Sequence, residues 1–383
     1  MRWIIFLYAS IRFLQGLIYF FLALILNERG LSGIEIGILL SLYTLTPIFL
    51  SLPSGVLNDR IPSRFLLGLS LLGSALFYFC FAEASPFPVL LLLFLLGGAS
   101  ANLANISVQS LALKVVGERH RSFRLGFYSG GGNFGMALGI MAGGLILKHA
   151  STGYLLHFAA LAHLALAAST FYLRDAATVR IHFLDYISVL REKGVLSFCL
   201  VYAVFAFHWG AETSSYSLFL RDYFNLSKEI SAFYMGIPIL FLGAASILAG
   251  RRLDKNTALI DRMTILAFTL SGLGQALMVL HPLSLSLFMR ILHETGDGIA
   301  ATLLLIGMAA RFDVERIGGL SSLVTLFNIF SQSLGALVFS QVGEQFGYQV
   351  SMVAGGISAL LPIFLYLAAK PQRDARSYPG HFS

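Results

Sequence analysis

The chain has 383 residues, of which 57% are hydrophobic and only 12% charged, and its formal net charge is +7. Soluble domains carry about 25% charged residues, so this composition excludes an ordinary water-soluble enzyme or binding module and points to a bilayer as the solvent. The positive balance does not mark a nucleic-acid partner, because all but two of the Lys and Arg fall outside the apolar runs, in short connections and the chain ends rather than clustered on one face. Cys80 and Cys199 both lie inside apolar runs, so no disulfide framework is implied. The first apolar run begins at Trp3 and extends as a full span, which is expected to remain rather than to be cleaved as a signal peptide.

A spanning helix needs roughly 18 or more apolar residues, and twelve such spans are predicted. They cover about 3–26, 35–57, 65–82, 88–113, 125–147, 153–173, 195–220, 229–249, 263–281, 283–309, 318–341 and 347–369. The expected organisation is an N-terminal six-helix half (1–173), a middle loop (174–194), a C-terminal six-helix half (195–369) and a tail (370–383). With both termini on one side, that side collects 20 of the 26 Lys and Arg residues, against Arg29, Lys148, Arg221 and Lys228 opposite. The positive-inside rule then makes both termini and the tail cytoplasmic. Short loops favour a bacterial inner membrane, although Asn225-Leu-Ser227 would be a glycosylation acceptor in a secretory pathway.

Polar stripes run along several spans at helical spacing. The first span offers Tyr8, Arg12, Gln15 and Tyr19, and the fourth Asn102, Asn105 and Gln109. The seventh carries His208, Glu212 and Ser215, and the eleventh Asn328 and Gln332. The tenth is the most charged: Arg290, His293, Glu294 and Asp297 fall within two turns, with Arg290/Glu294 and His293/Asp297 each at i,i+4. Ionisable groups at membrane depth are costly and mark transport paths by default. His293-Glu294 is not a metal motif, since no second His follows at i+4, and no Walker loop or nucleophile with a base is present. The expectation is therefore no enzyme activity, no cofactor and no metal.

The chain also repeats itself. Gly55, Asp59 and Arg60 recur as Gly250, Asp254 and Lys255, an offset of 195 residues, and Leu31-Ser32 recurs as Leu226-Ser227. Leu138-Gly139 and Gly153-Tyr154 are answered by Leu334-Gly335 and Gly347-Tyr348. Two parallel six-span halves predict a binding site between them near the midplane.

The stretch from Gly55 through Asp59 and Arg60 to Arg64 resembles the loop 2–3 signature of the major facilitator superfamily, G-x-x-x-D-R-x-x-x-R, and the resemblance extends along the whole chain. It implies an all-α membrane protein of twelve transmembrane helices, with two six-helix halves in pseudo-twofold arrangement. Gly55 is expected to close a tight turn, and Asp59, Arg60 and Arg64 to cap helix ends as a conformational gate. Gly250, Asp254 and Lys255 supply its second copy, in which Leu259 replaces the last Arg. The resemblance also implies that spans 1, 4, 7 and 10 line a central cavity on which the polar stripes converge. In the fifth span, Gly126, Gly135, Gly139, Gly143 and Gly144 are similar to the superfamily's antiporter signature, with Ile140 in place of its Pro. Gly131, Gly135, Gly139 and Gly143 read instead as a small-residue ridge for close packing, the favoured reading of this span. The tenth span is similar to that of the superfamily's sugar and nucleoside proton symporters, whereas the fourth lacks the embedded Arg of its drug exporters.

The intramembrane cations are Arg12 and Arg290, against the carboxylates Glu212, Glu294 and Asp297. Burial favours the neutral form of an acid and a neighbouring Arg its charged form, so an acid alternating between the two can carry a proton. The predicted protein is a proton-coupled carrier of a small polar organic solute working by alternating access, and a monomer. Arg290, His293, Glu294, Asp297 and Glu212 are assigned to proton coupling. Arg12, Gln15, Asn102, Asn105, Gln109, His208, Asn328 and Gln332 are assigned to the substrate. The alternatives are proton-driven efflux of a drug-like amphiphile and, from another class, a lipid flippase or a transport-inactive sensor.

Overall fold

The computed structural model describes residues 1–174, 178–179 and 183–368, and no strand occurs among them. The helices in chain order are α1 (Arg2–Tyr19), α2 (Leu22–Glu28), α3 (Gly33–Arg60), α4 (Ser63–Glu83), α5 (Phe87–Val115), α6 (Arg121–His149), α7 (Thr152–Ser169), α8 (Phe183–Ser188), α9 (Lys193–Ala206), α10 (Trp209–Asp222), α11 (Lys228–Lys255), α12 (Ile260–Leu277), α13 (Leu283–Arg311), α14 (Ile317–Phe346), α15 (Tyr348–Ser358) and α16 (Leu361–Ala368). Three expected spans are pairs of shorter helices: α1 with α2, α9 with α10, and α15 with α16. Helix α8 lies in the stretch expected to be a loop, and the expected tail 370–383 lies outside the described residues.

Ten helical segments are long and apolar enough to cross a membrane. The other two expected spans are α12, whose first turn holds Asp261 and Arg262, and α13, which carries Arg290, Glu294 and Asp297. Their charges lower the apolar content that length-and-hydropathy criteria require.

Repeated sequence makes repeated local structure. Ser32 caps α3 by accepting from the Glu35 amide, with the Glu35 carboxylate returning to the Ser32 N–H as a capping box. Its counterpart Ser227 caps α11 through the Ile230 amide. Gly347 precedes α15 at φ 97°, a conformation open to glycine without steric cost.

The chain forms two compact units: 1–115 with 134–181 and 314–326, and 116–133 with 182–313 and 327–383. In the first unit, Tyr43, Phe77, Phe81 and Phe94 make an aromatic core under α3, α4 and α5, with Phe77 edge-on to Phe94 at 5.5 Å. Gly135, Gly139 and Gly143 of α6 lie against the Ala9, Phe13 and Leu17 carbonyls of α1, where any Cβ would overlap backbone. The glycines of the antiporter-like signature thus serve close helix packing in this structure. In the second unit, Tyr216, Phe219, Tyr234, Phe339 and Met352 form the corresponding core. There Gly335 of α14 meets the Phe207 carbonyl, as its repeat partner Gly139 meets that of Phe13.

That contact falls where α9 gives way to α10. The amides of His208, Gly210 and Ala211 bond three residues back, to Phe205, Phe207 and His208, so the helix tightens locally to the 3₁₀ pattern. The tightening carries His208 into the interior, where it is fully buried.

Candidate functional site

Three helices of the second unit, α10, α12 and α13, build one buried ionic cluster. Arg290 grips Glu212 with both terminal nitrogens, at 2.7 and 3.1 Å, and reaches Glu294 at 2.5 Å. Its guanidinium also lies 4.5 Å over the ring of Tyr216. A bidentate fork of this kind fixes geometry as well as charge. His293 Nε2 stands 2.6 Å from Glu212, while its Nδ1 faces the Ser271 carbonyl at 2.8 Å. Asp297 accepts from the Trp209 indole at 2.7 Å and stands 3.5 Å from His208 Nε2. The Nδ1 of His208 is held by the Phe205 carbonyl.

Arg290, His293, Glu294, Asp297 and His208 are buried, and the Glu212 side chain keeps 20% exposure. Three carboxylates therefore share one permanent cation, and the two imidazoles are the neighbouring groups able to complete the balance by taking up protons. The expected i,i+4 pairing holds for Arg290 and Glu294, but His293 is 3.9 Å from Asp297 and closer to Glu212. His208, expected to meet substrate, instead joins this cluster. A second histidine is thus supplied by another helix rather than at i+4. His208, His293 and Asp297, or Glu212, His293 and Glu294, are close enough to hold a small cation. Trp209, Tyr216 and Ser271 were missed by the sequence reading. The indole N–H of Trp209 was the available signal, since a buried indole seeks an acceptor, whereas nothing marks Ser271.

The other predicted residues have neutral company. In the first unit, Arg12 donates to Gln15 at 3.1 Å and meets the Met136 sulfur, and its Nε is buried without a hydrogen-bond partner. Asn102 exchanges hydrogen bonds with Ser51 and Ser54 on α3. The Asn105 side-chain oxygen is buried without a partner, and Gln109 is partly buried. In the second unit, the Asn328 side-chain oxygen is likewise unpartnered, and Gln332 donates to Thr213 at 2.9 Å.

The two signature copies also differ from the expected turns. Gly55 and Asp59 lie inside α3, not in a loop, and Gly55 is needed because a Cβ there would strike Gly318 and Ser322. Asp59 accepts from the Gly318 and Gly319 amides at 3.0 and 2.7 Å, in the first turn of α14, and pairs with Lys114 at 3.2 Å. An anion at a helix start is favoured by the free N–H groups and the dipole. Arg64 donates to the Leu173 carbonyl, and Arg60 is exposed at the end of α3. In the second unit, Gly250 packs on Ser122 and Gly126, Asp254 pairs with His120 at 2.7 Å just ahead of α6, and Lys255 is exposed.

A family model described as the Major Facilitator Superfamily matches residues 4–270 and 198–381. The chain belongs to the major facilitator superfamily. It is an integral membrane protein with the all-α fold of that family, whose members are transporters rather than enzymes. The quinolone resistance protein NorA of Staphylococcus aureus is 26% identical over 222 residues, 56% of this chain and 57% of NorA. The methyl viologen resistance protein SmvA of Salmonella typhimurium is 30% identical over 122 residues, 31% of this chain and 24% of SmvA. The matches thus span little more than half the length of NorA and about a quarter of SmvA. Among solved structures, the human organic anion transporter MFSD10 (TETRAN) superposes with a TM-score of 0.77 at 19% identity, covering 94% of this chain and 97% of that one.

Proposed function

We propose that this protein is a proton-coupled secondary transporter in which the cluster of Arg290, His293, Glu294, Asp297 and Glu212, joined by His208, takes up and releases the coupling protons. The observation that carries this reading is one permanent cation among three carboxylates, two of them almost wholly buried. Such a group is stable only while protons or a bound cation complete its charge. Relatives named for resistance to quinolones and methyl viologen favour export of an organic amphiphile in exchange for protons. Trp209, partly exposed beside Asp297, suits an aromatic or cationic solute.

The second reading is uptake of a small polar solute, favoured by Arg12 with its unsatisfied Nε and by the Asn102, Asn105 and Gln109 stripe. The proposed organisation is two six-helix halves (1–173 and 195–369) joined by 174–194, in a bacterial plasma membrane with both termini cytoplasmic. Asp59 and Asp254, with Gly55, Arg60, Arg64, Gly250 and Lys255, are proposed to stabilise one conformational state.

The test is flux in proteoliposomes under an imposed pH gradient, with a fluorescent quinolone, a viologen, sugars and organic acids. Export coupled to opposite proton movement supports the first reading, and co-directional movement with a polar solute supports the second. Transport indifferent to the pH gradient refutes proton coupling.

A further inference from the structure

A separate feature lies at the far end of α13, more than four helical turns beyond Arg290 by sequence. Arg311, the last residue of α13, lines a small, half-open cleft walled by α9, α12, α13 and α16. Phe198, Tyr202, Leu303 and Ile306 make its sides apolar, with Thr264 among its few polar groups. The guanidinium stacks 4.6 Å from the Phe198 ring. Among the described residues its side-chain hydrogen bond runs to the Gly307 carbonyl of its own helix, at 3.3 Å. No carboxylate pairs with it among the described residues. Gly307 keeps this space open, since a Cβ there would press on the Phe198 ring and approach the Arg311 Nη1 to 3.3 Å.

We propose that this cleft seats an anionic phospholipid, its phosphate on Arg311 and its chains along the outer faces of α9 and α16. Arginine presents a planar fork matched to phosphate, and among the described residues a single hydrogen bond engages this one. The cleft sits at one end of the spans, where headgroups lie, and basic pockets between membrane helices suit anionic headgroups. Leu196 and Leu200 on α9, Leu266 on α12 and Leu365 on α16, helices that wall the cleft, are exposed apolar side chains against which acyl chains can lie. A soluble anion would have no use for these side chains. Asp261, an acid on the rim, is engaged by the Tyr366 hydroxyl at 2.7 Å.

The experiment is native mass spectrometry of the full chain released from detergent, titrated with phosphatidylglycerol, phosphatidylcholine and soluble glycerol phosphate. Wild type should retain one phosphatidylglycerol in preference to phosphatidylcholine. Arg311→Gln should weaken that binding about tenfold, and Arg262→Gln, at an exposed position on α12, should leave it unchanged. Should Arg311→Gln fail to fold, Arg311→Lys serves in its place, with binding between wild type and loss because the charge stays and the fork goes. Equal binding by wild type and both Arg311 variants overturns the proposal. So does displacement of the lipid by glycerol phosphate at matched concentration, which would mean a site for free anions.

Discussion

The two units hold their polar interiors in opposite ways. In the first, Arg12 is met among the described residues by Gln15 and a methionine sulfur, with its Nε unpartnered there, and Asn102, Asn105 and Gln109 offer amides. In the second, Arg290 is bound on two sides by carboxylates, and two histidines close the group. The proposed function divides labour between the copies: the second supplies the titratable cluster, and the first supplies hydrogen-bonding capacity around Arg12 and the Asn102 stripe. On that proposal, proton uptake and solute recognition are expected to be disturbed separately.

The largest effect is expected from Arg290→Ala, which leaves Glu212 and Glu294 buried without their cation. Removing one partner of a buried pair costs about 3–5 kcal/mol, so thermal unfolding in detergent should fall well below wild type, and an unchanged midpoint would show the cluster to be wetter than it looks. Next is Asp59→Asn. Hydrogen bonds to a charged group are worth about 1.5–3 kcal/mol each, and this one accepts from Gly318 and Gly319 and pairs with Lys114. Slower transport with a lowered unfolding temperature is expected. Arg12→Ala should weaken solute affinity in a binding assay while leaving the pH profile of transport unaltered; a shifted profile would end the proposed separation. The smallest effect is expected from Asp254→Asn, because its partner His120 is 58% exposed and such pairs contribute about 0–1 kcal/mol. A loss as large as that of Asp59→Asn would show the two signature copies to be equivalent.

Charges inside an apolar run stand out, so Arg290 to Asp297 were visible as a site without any structure. Their true pairing was not. The sequence offers i,i+4 neighbours, but Glu212 and His208 reach α13 from another helix, and that choice depends on how α10 is rotated. The rotation follows from the local 3₁₀ tightening at Phe207 and His208, where no proline or glycine occupies the two break positions to announce it. The repeats were legible as offsets and proved structural: Ser32 and Ser227 are matching caps, and Gly139 and Gly335 matching close contacts. Gly55 was misjudged because glycine before Asp-Arg reads as a turn, whereas here it clears space inside a helix for α14.

The central claim is that the α10–α13 cluster exchanges protons when solute binds. The direct measurement is the pH change on adding a transported solute to purified protein in weak buffer, for wild type and for Glu294→Gln/Asp297→Asn. A proton signal in wild type that disappears in the double variant, with solute still bound, is the predicted result. The same proton signal from both proteins would contradict the account.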